Sequence, residues 1–159
     1  MSTLTKYILT FLVSMVPLIE LRGGVPIGTV TFELPAHWVL PVCMIGNMLP
    51  VPIIFFFARK VLIWGKDKKF TAKFFTFCLE KGSRGGEKLK EKAGSKGMFL
   101  ALMLFVGIPL PGTGAWVGTL AASMLDLDFK KSVTAVMCGV LLAGVIMTAV
   151  SRLWTYIFG

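Results

Sequence analysis

The chain has 159 residues, 55% hydrophobic and 16% charged, with a mean hydropathy of +0.79. A soluble domain of this size could not hide that much apolar surface, so the composition excludes an ordinary soluble fold and points to one integral membrane domain. The formal net charge of +9 does not indicate nucleic acid, because the basic residues cluster between apolar runs and form no recognisable reader motif.

Lys6 and the apolar residues 7–16 imitate a signal peptide, but Glu20 and Arg22 follow where a cleavage site would stand, so the segment is read as part of the mature protein. Residues 7–19 are uncharged and would make a helix of about 20 Å, too short for a hydrocarbon core of about 30 Å. Then comes Glu20-Leu21-Arg22-Gly23-Gly24-Val25-Pro26-Ile27-Gly28. A carboxylate and a guanidinium inside an apolar run mark a pathway or site. Gly23, Gly24 and Pro26 supply helix breakers. The stretch can continue as one broken span or turn back; a turn at the glycines is the preferred reading, giving the tip of a re-entrant hairpin.

Residues 33–38 form a polar connector in which His37 and Trp38 are interfacial. Residues 38–58 are 21 uncharged residues, long enough to span. Asn47 lies within them, and Pro41, Pro50 and Pro52 predict a kinked helix. From Gly65 to Gly97 there are ten Lys or Arg against four Asp or Glu, which places this loop in the cytoplasm. Within it Phe70, Phe74, Phe77 and Cys78 share a face, suited either to a surface helix on anionic lipid or to a solvated helix packed on the protein.

Residues 97–108 are again apolar and too short to cross. They end at Pro109-Leu110-Pro111-Gly112-Thr113-Gly114-Ala115-Trp116, a second breaker-rich tip. A half-helix starting after Gly112 or Gly114 would point its positive end into a site. Residues 132–151 give a second uncharged span of 20 residues, closed by Arg152, Trp154 and Tyr156. A shift of 90 positions pairs Gly24 with Gly114, Gly28 with Gly118 and Thr29 with Thr119. The order predicts an all-α integral membrane protein of two inverted repeats, each a re-entrant or broken helical hairpin followed by a transmembrane helix. Residues 1–64 form the first repeat, 65–96 the basic loop and 97–159 the second. Inverted repeats with broken helices meeting near the midplane are a transporter architecture.

The candidate site joins the two tips: Glu20, Arg22, Gly23, Gly24 and Pro26 from the first, Pro109, Pro111, Gly112, Thr113, Gly114 and Trp116 from the second, and Asn47 from the adjacent span. Glu20 is a candidate for a proton or cation, and Arg22 for an anionic group. The alternative is a buried pair that fixes the hairpin. Cys43, Cys78 and Cys138 form neither a disulfide framework nor a zinc site, and no catalytic constellation, cofactor or metal is expected.

These motifs, Glu20-x-Arg22-Gly23-x-x-Pro26 and Pro109-x-Pro111-Gly112-Thr113-Gly114-x-Trp116, resemble those of the small multidrug export protein family, over nearly the whole chain. That family is itself distantly similar to the DedA proteins, whose re-entrant hairpins are linked to lipid-carrier flipping and proton-coupled transport. The resemblance implies a small secondary transporter or flippase of the cytoplasmic membrane, acting on an amphipathic or lipid-linked substrate with protons or cations, with Glu20 and Arg22 as coupling and anion-contact residues. It has membrane lipids as partners and, with only two full spans, is expected to form a homo-oligomer. A membrane scaffold whose hairpins only pack against partners is the competing expectation.

Overall fold

The computed structural model describes residues 1–66, 91, 93–110 and 112–158. All regular structure among them is helical. Helix α1 is Thr3–Met15, α2 is Glu20–Pro26 with a wider π-turn at Ile27–Thr31, α3 is Ala36–Met48 and α4 is Pro50–Lys66. They are followed by α5, Ala93–Gly107, α6, Ala115–Met124, and α7, Phe129–Phe158. The aromatic face expected at Phe70, Phe74, Phe77 and Cys78 lies outside the described residues, as does Pro111.

Among the described residues, two helices are long and apolar enough to cross a membrane. They are the 23-residue stretch Ala36–Ala58, which runs through α3 into α4, and the 30-residue α7. The helical ladder of the first is interrupted at Leu49, because Pro50 has no N–H to continue it. Each is preceded by a pair of shorter helices. In the first pair Gly28 packs on Thr10 and Gly24 on Ser14, so α1 and α2 run antiparallel.

The turn of this first pair is not at the glycines. It occupies residues 16–19, and α2 runs unbroken through Gly23, Gly24 and Pro26. Pro17 is the breaker: it follows an extended Val16, and Leu18 then takes a left-handed backbone, φ 71°. Pro26 sits inside the helix, and the π-turn directly after it takes up the disturbed ladder. The glycines serve packing instead. A Cβ on Gly24 would lie 3.0 Å from Cys43 Sγ, and one on Gly28 would lie 2.7 Å from Val39. Small residues let backbones approach where hydrophobic collapse offers no drive.

The same device appears on both long helices. At Gly46 of α3 a Cβ would meet Phe11 O of α1 at 2.7 Å; at Gly139 of α7 it would meet Met103 O of α5 at 2.6 Å. The core that joins the halves holds Leu21, Val25, Val39, Val106, Ala115 and Val140. Leu40 of α3 and Leu21 of α2 both close over Gly144 of α7. Ser123 of α6 donates to the Phe55 carbonyl of α4 at 2.7 Å, which ties the second short pair to the first long helix.

Candidate functional site

The site lies where the start of α2 meets the gap between α5 and α6. Glu20 is 3% exposed, and its carboxylate accepts from two backbone N–H groups, Ala115 N at 3.0 Å and Trp116 N at 2.9 Å. Those are the first two residues of α6. The first N–H groups of a helix have no partner within it and carry the positive end of its dipole, so a carboxylate is the natural cap. Here the cap comes from a residue 95 positions earlier in the chain.

Arg22 performs the opposite task. Its guanidinium donates to Val106 O at 3.2 Å, Ile108 O at 3.1 Å, Leu110 O, and Thr113 Oγ1 at 2.7 Å. Val106 stands in the last turn of α5, where unsatisfied carbonyls make the negative end of a dipole. The Thr113 hydroxyl accepts from Arg22 and lies within donating distance of the Leu110 carbonyl at 2.9 Å, which draws the loop in on itself. Glu20 and Arg22 thus turn to separate partners, each matched in sign to the helix end it meets. A forked guanidinium can hold several carbonyls at once, which a lysine ammonium cannot reproduce geometrically.

Backbone conformation enforces this arrangement. Glu20 itself has φ 51°, a left-handed value that a non-glycine residue holds only when its surroundings demand it. Gly114 has φ 128°, and a Cβ there would come within 2.8 Å of the Glu20 carboxyl carbon. Gly112 has φ 82° with open space around it. Gly114 therefore leaves room for the carboxylate, whereas Gly112 only shapes the turn.

Of the residues expected at the site, Glu20, Arg22, Thr113, Gly114 and Trp116 are brought together. Gly112 and Pro109 belong to the same loop; Gly23, Gly24 and Pro26 lie on α2 away from the turn. Asn47 is placed by register: Gly28 packs on Val39 and Gly24 on Cys43, so one further turn along each helix brings Glu20 and Asn47 level. The Asn47 side-chain oxygen is buried without a partner, as are Trp116 Nε1 and the hydroxyl of Thr119, one turn along α6. Such orphaned polar atoms call for an explanation, and a hydrated or ligand-binding spot is one. The helix start after Gly114, with its positive end at the site, is an expectation of the sequence; sequence reasoning missed that Glu20 caps it and that Arg22 meets the Val106, Ile108 and Leu110 carbonyls. Backbone atoms carry no residue-type signal.

Comparison with known proteins places this geometry in a family. The family described as "Putative small multi-drug export protein" matches residues 20–146, beginning at the capping carboxylate. No curated protein matches the chain, and no solved structure does. With a match over most of its length and two helices able to cross a bilayer, the chain belongs to the small multidrug export protein family of membrane transport proteins.

Proposed function

We propose that the protein is a small secondary exporter or flippase for amphipathic or lipid-linked molecules, coupled to protons, and that Glu20 and Arg22 are its moving parts. The observation that carries this reading is the capping of both α5 and α6 by one charged stretch of α2. The α6 N-terminus is an anion site held by the protein's own carboxylate. Protonation of Glu20 would weaken its hold on the two N–H donors and open the α6 N-terminus to an anionic group of the substrate, with the charge of Arg22 close by. Buried polar atoms at Asn47, Trp116 and Thr119 supply further contacts along the path.

In this reading the two short-helix pairs are re-entrant hairpins that enter from opposite faces, and the halves form an inverted repeat. The paired crossings at Gly46 and Gly139 support it. The protein sits in the cytoplasmic (inner) membrane as a multi-pass homo-oligomer, with residues 65–96 on the cytoplasmic side, as the positive-inside rule directs. A second reading has a specific observation in its favour. Among the described residues, Glu20 and Arg22 bond to backbone groups and Thr113, a closed set of contacts that suits a scaffold locked shut.

Transport of a fluorescent amphipathic sulfonate, an anion, into inverted membrane vesicles separates the two. Glu20→Gln and Arg22→Ala should each abolish uptake while the protein remains inserted. Normal uptake by both variants would remove the site assignment. Topology is tested with single cysteines at Thr5, Thr31, Ser95 and Asp128 on a background lacking Cys43, Cys78 and Cys138. A membrane-impermeant maleimide should label the first two from outside and the last two from inside; opposite-side labelling within a pair would show that its hairpin crosses.

A further inference from the structure

The two ends of α7 carry matching features that the hairpin tips do not use. Near its start Lys131 precedes Ser132, and near its end Ser151 precedes Arg152. Ser132 and Ser151 are each 3% exposed, and each hydroxyl is buried without a partner. Nineteen positions on a helix separate them by about 28 Å, close to the roughly 30 Å thickness of a hydrocarbon core.

Each serine lines a cavity together with the neighbouring cation. The first cavity, about 360 Å³, lies among Ser95, Phe99, Leu127, Lys131 and Ser132. The second, about 420 Å³, lies among Thr29, Ala36, Ser151, Arg152 and Thr155. Both fall in the size range of small-ligand sites, about 300–1,000 Å³. Lys131 donates to Ser95 Oγ at 2.8 Å, which leaves ammonium N–H groups free. Asp128 also borders the first cavity, but one carboxylate oxygen accepts from Lys131 N at 2.9 Å as the cap of α7.

Each cavity shares lining residues with a neighbouring apolar groove. Met98 and Leu102 pass from the first cavity into a groove of about 190 Å³ that runs on to Phe105 and Ala121. Ser151 passes from the second into one of about 250 Å³ lined by Pro26, Ile27, Val30 and Val150. A cation and an unpaired hydroxyl lining one cavity suit an oxyanion, and the groove suits an alkyl chain.

From this geometry we infer that each end of α7 binds one anionic phospholipid, headgroup phosphate at the cation and serine, acyl chain in the groove, one lipid per leaflet. The inference rests on α7 spanning the bilayer and is independent of export.

Native mass spectrometry of the delipidated protein in mild detergent tests it, with added dioleoyl phosphatidylglycerol, dioleoyl phosphatidylcholine or glycerol phosphate. The wild type should retain two phosphatidylglycerols per chain. Lys131→Gln and Arg152→Gln should each retain one, and the double variant none. Lys130→Gln, an equal charge change on an exposed neighbour, should retain two, and Lys131→Arg should restore the first site. Loss of a charge-assisted contact predicts weakening of about tenfold or more at the altered site. Equal retention by all variants, equal retention of phosphatidylcholine, or equally tight binding of glycerol phosphate alone would each overturn the inference. Loss of transport in every variant would leave these counts unaltered, so the two readings fall separately.

Discussion

Replacing Gly114 by alanine attacks the Glu20 cap without touching Glu20. The new Cβ would stand 2.8 Å from the carboxyl carbon and from Oε1, closer than real Cβ atoms come, so the carboxylate must leave. Two charge-assisted bonds, at 3.0 and 2.9 Å, go with it, each worth about 1.5–3 kcal/mol. Forcing alanine to φ 128° costs a further 1–3 kcal/mol or so. The sum is on the order of 4–9 kcal/mol, comparable to the whole stability of a typical domain, about 5–15 kcal/mol. Gly112→Ala is the matched control, because its φ is 82° but no atom lies within 4 Å of its Cβ. It should cost only the backbone strain, about 1–3 kcal/mol. Unfolding in mixed micelles by dodecyl sulfate titration, followed by tryptophan fluorescence, measures both. In a Glu20→Ala background Gly114→Ala should likewise fall to the strain alone, a coupling of about 3–6 kcal/mol. Equal destabilisation by the two glycine variants, or a coupling below about 0.5 kcal/mol, would refute the argument.

Arg22→Lys should destabilise by about 1–3 kcal/mol in the same titration, because an ammonium cannot reach all four acceptors held by the guanidinium fork. Gly46→Ala and Gly139→Ala should each cost about 1–3 kcal/mol, since their Cβ atoms meet carbonyl oxygens of a neighbouring helix backbone. Gly94→Ala, with φ 63° and open space, should cost no more than about 1–2 kcal/mol; parity with Gly46→Ala would count against close helix approach as the reason for that glycine.

Hydropathy made the helices legible, since apolar runs longer than a bilayer is thick have few other uses. The two charges and the second tip were legible because Glu20, Arg22 and the Pro109–Gly114 cluster are expensive in lipid unless something holds them. The position of the first turn was not. Gly23, Gly24 and Pro26 carry the stronger breaker signal, yet in the fold the glycines are contact points and Pro17 makes the turn. Glycine in a membrane helix has two opposite uses, and composition does not separate them. Nor could the sequence tell whether Glu20 and Arg22 face each other. Their partners are backbone groups, set by where α5 stops and α6 starts. Ser132 and Ser151 looked like ordinary span residues, because only three-dimensional packing shows a hydroxyl left without a partner.

The distance along the chain between the caps and the helix ends they satisfy bears on how the protein is made. Arg22 meets its first partner 84 positions later, and Glu20 its last 96 positions later. At roughly 5–20 residues per second, a ribosome takes about 5–20 s to produce the intervening stretch. Throughout that interval Glu20 and Arg22 lack the helix ends that they cap in the finished fold, so the first hairpin cannot yet be released into lipid in its final form. It must wait at a watery edge, in the insertion channel or against a chaperone, until the second hairpin arrives. Completion of the first half is thereby made conditional on synthesis of the second, and a chain truncated before the second hairpin would present its unmet charges to quality control.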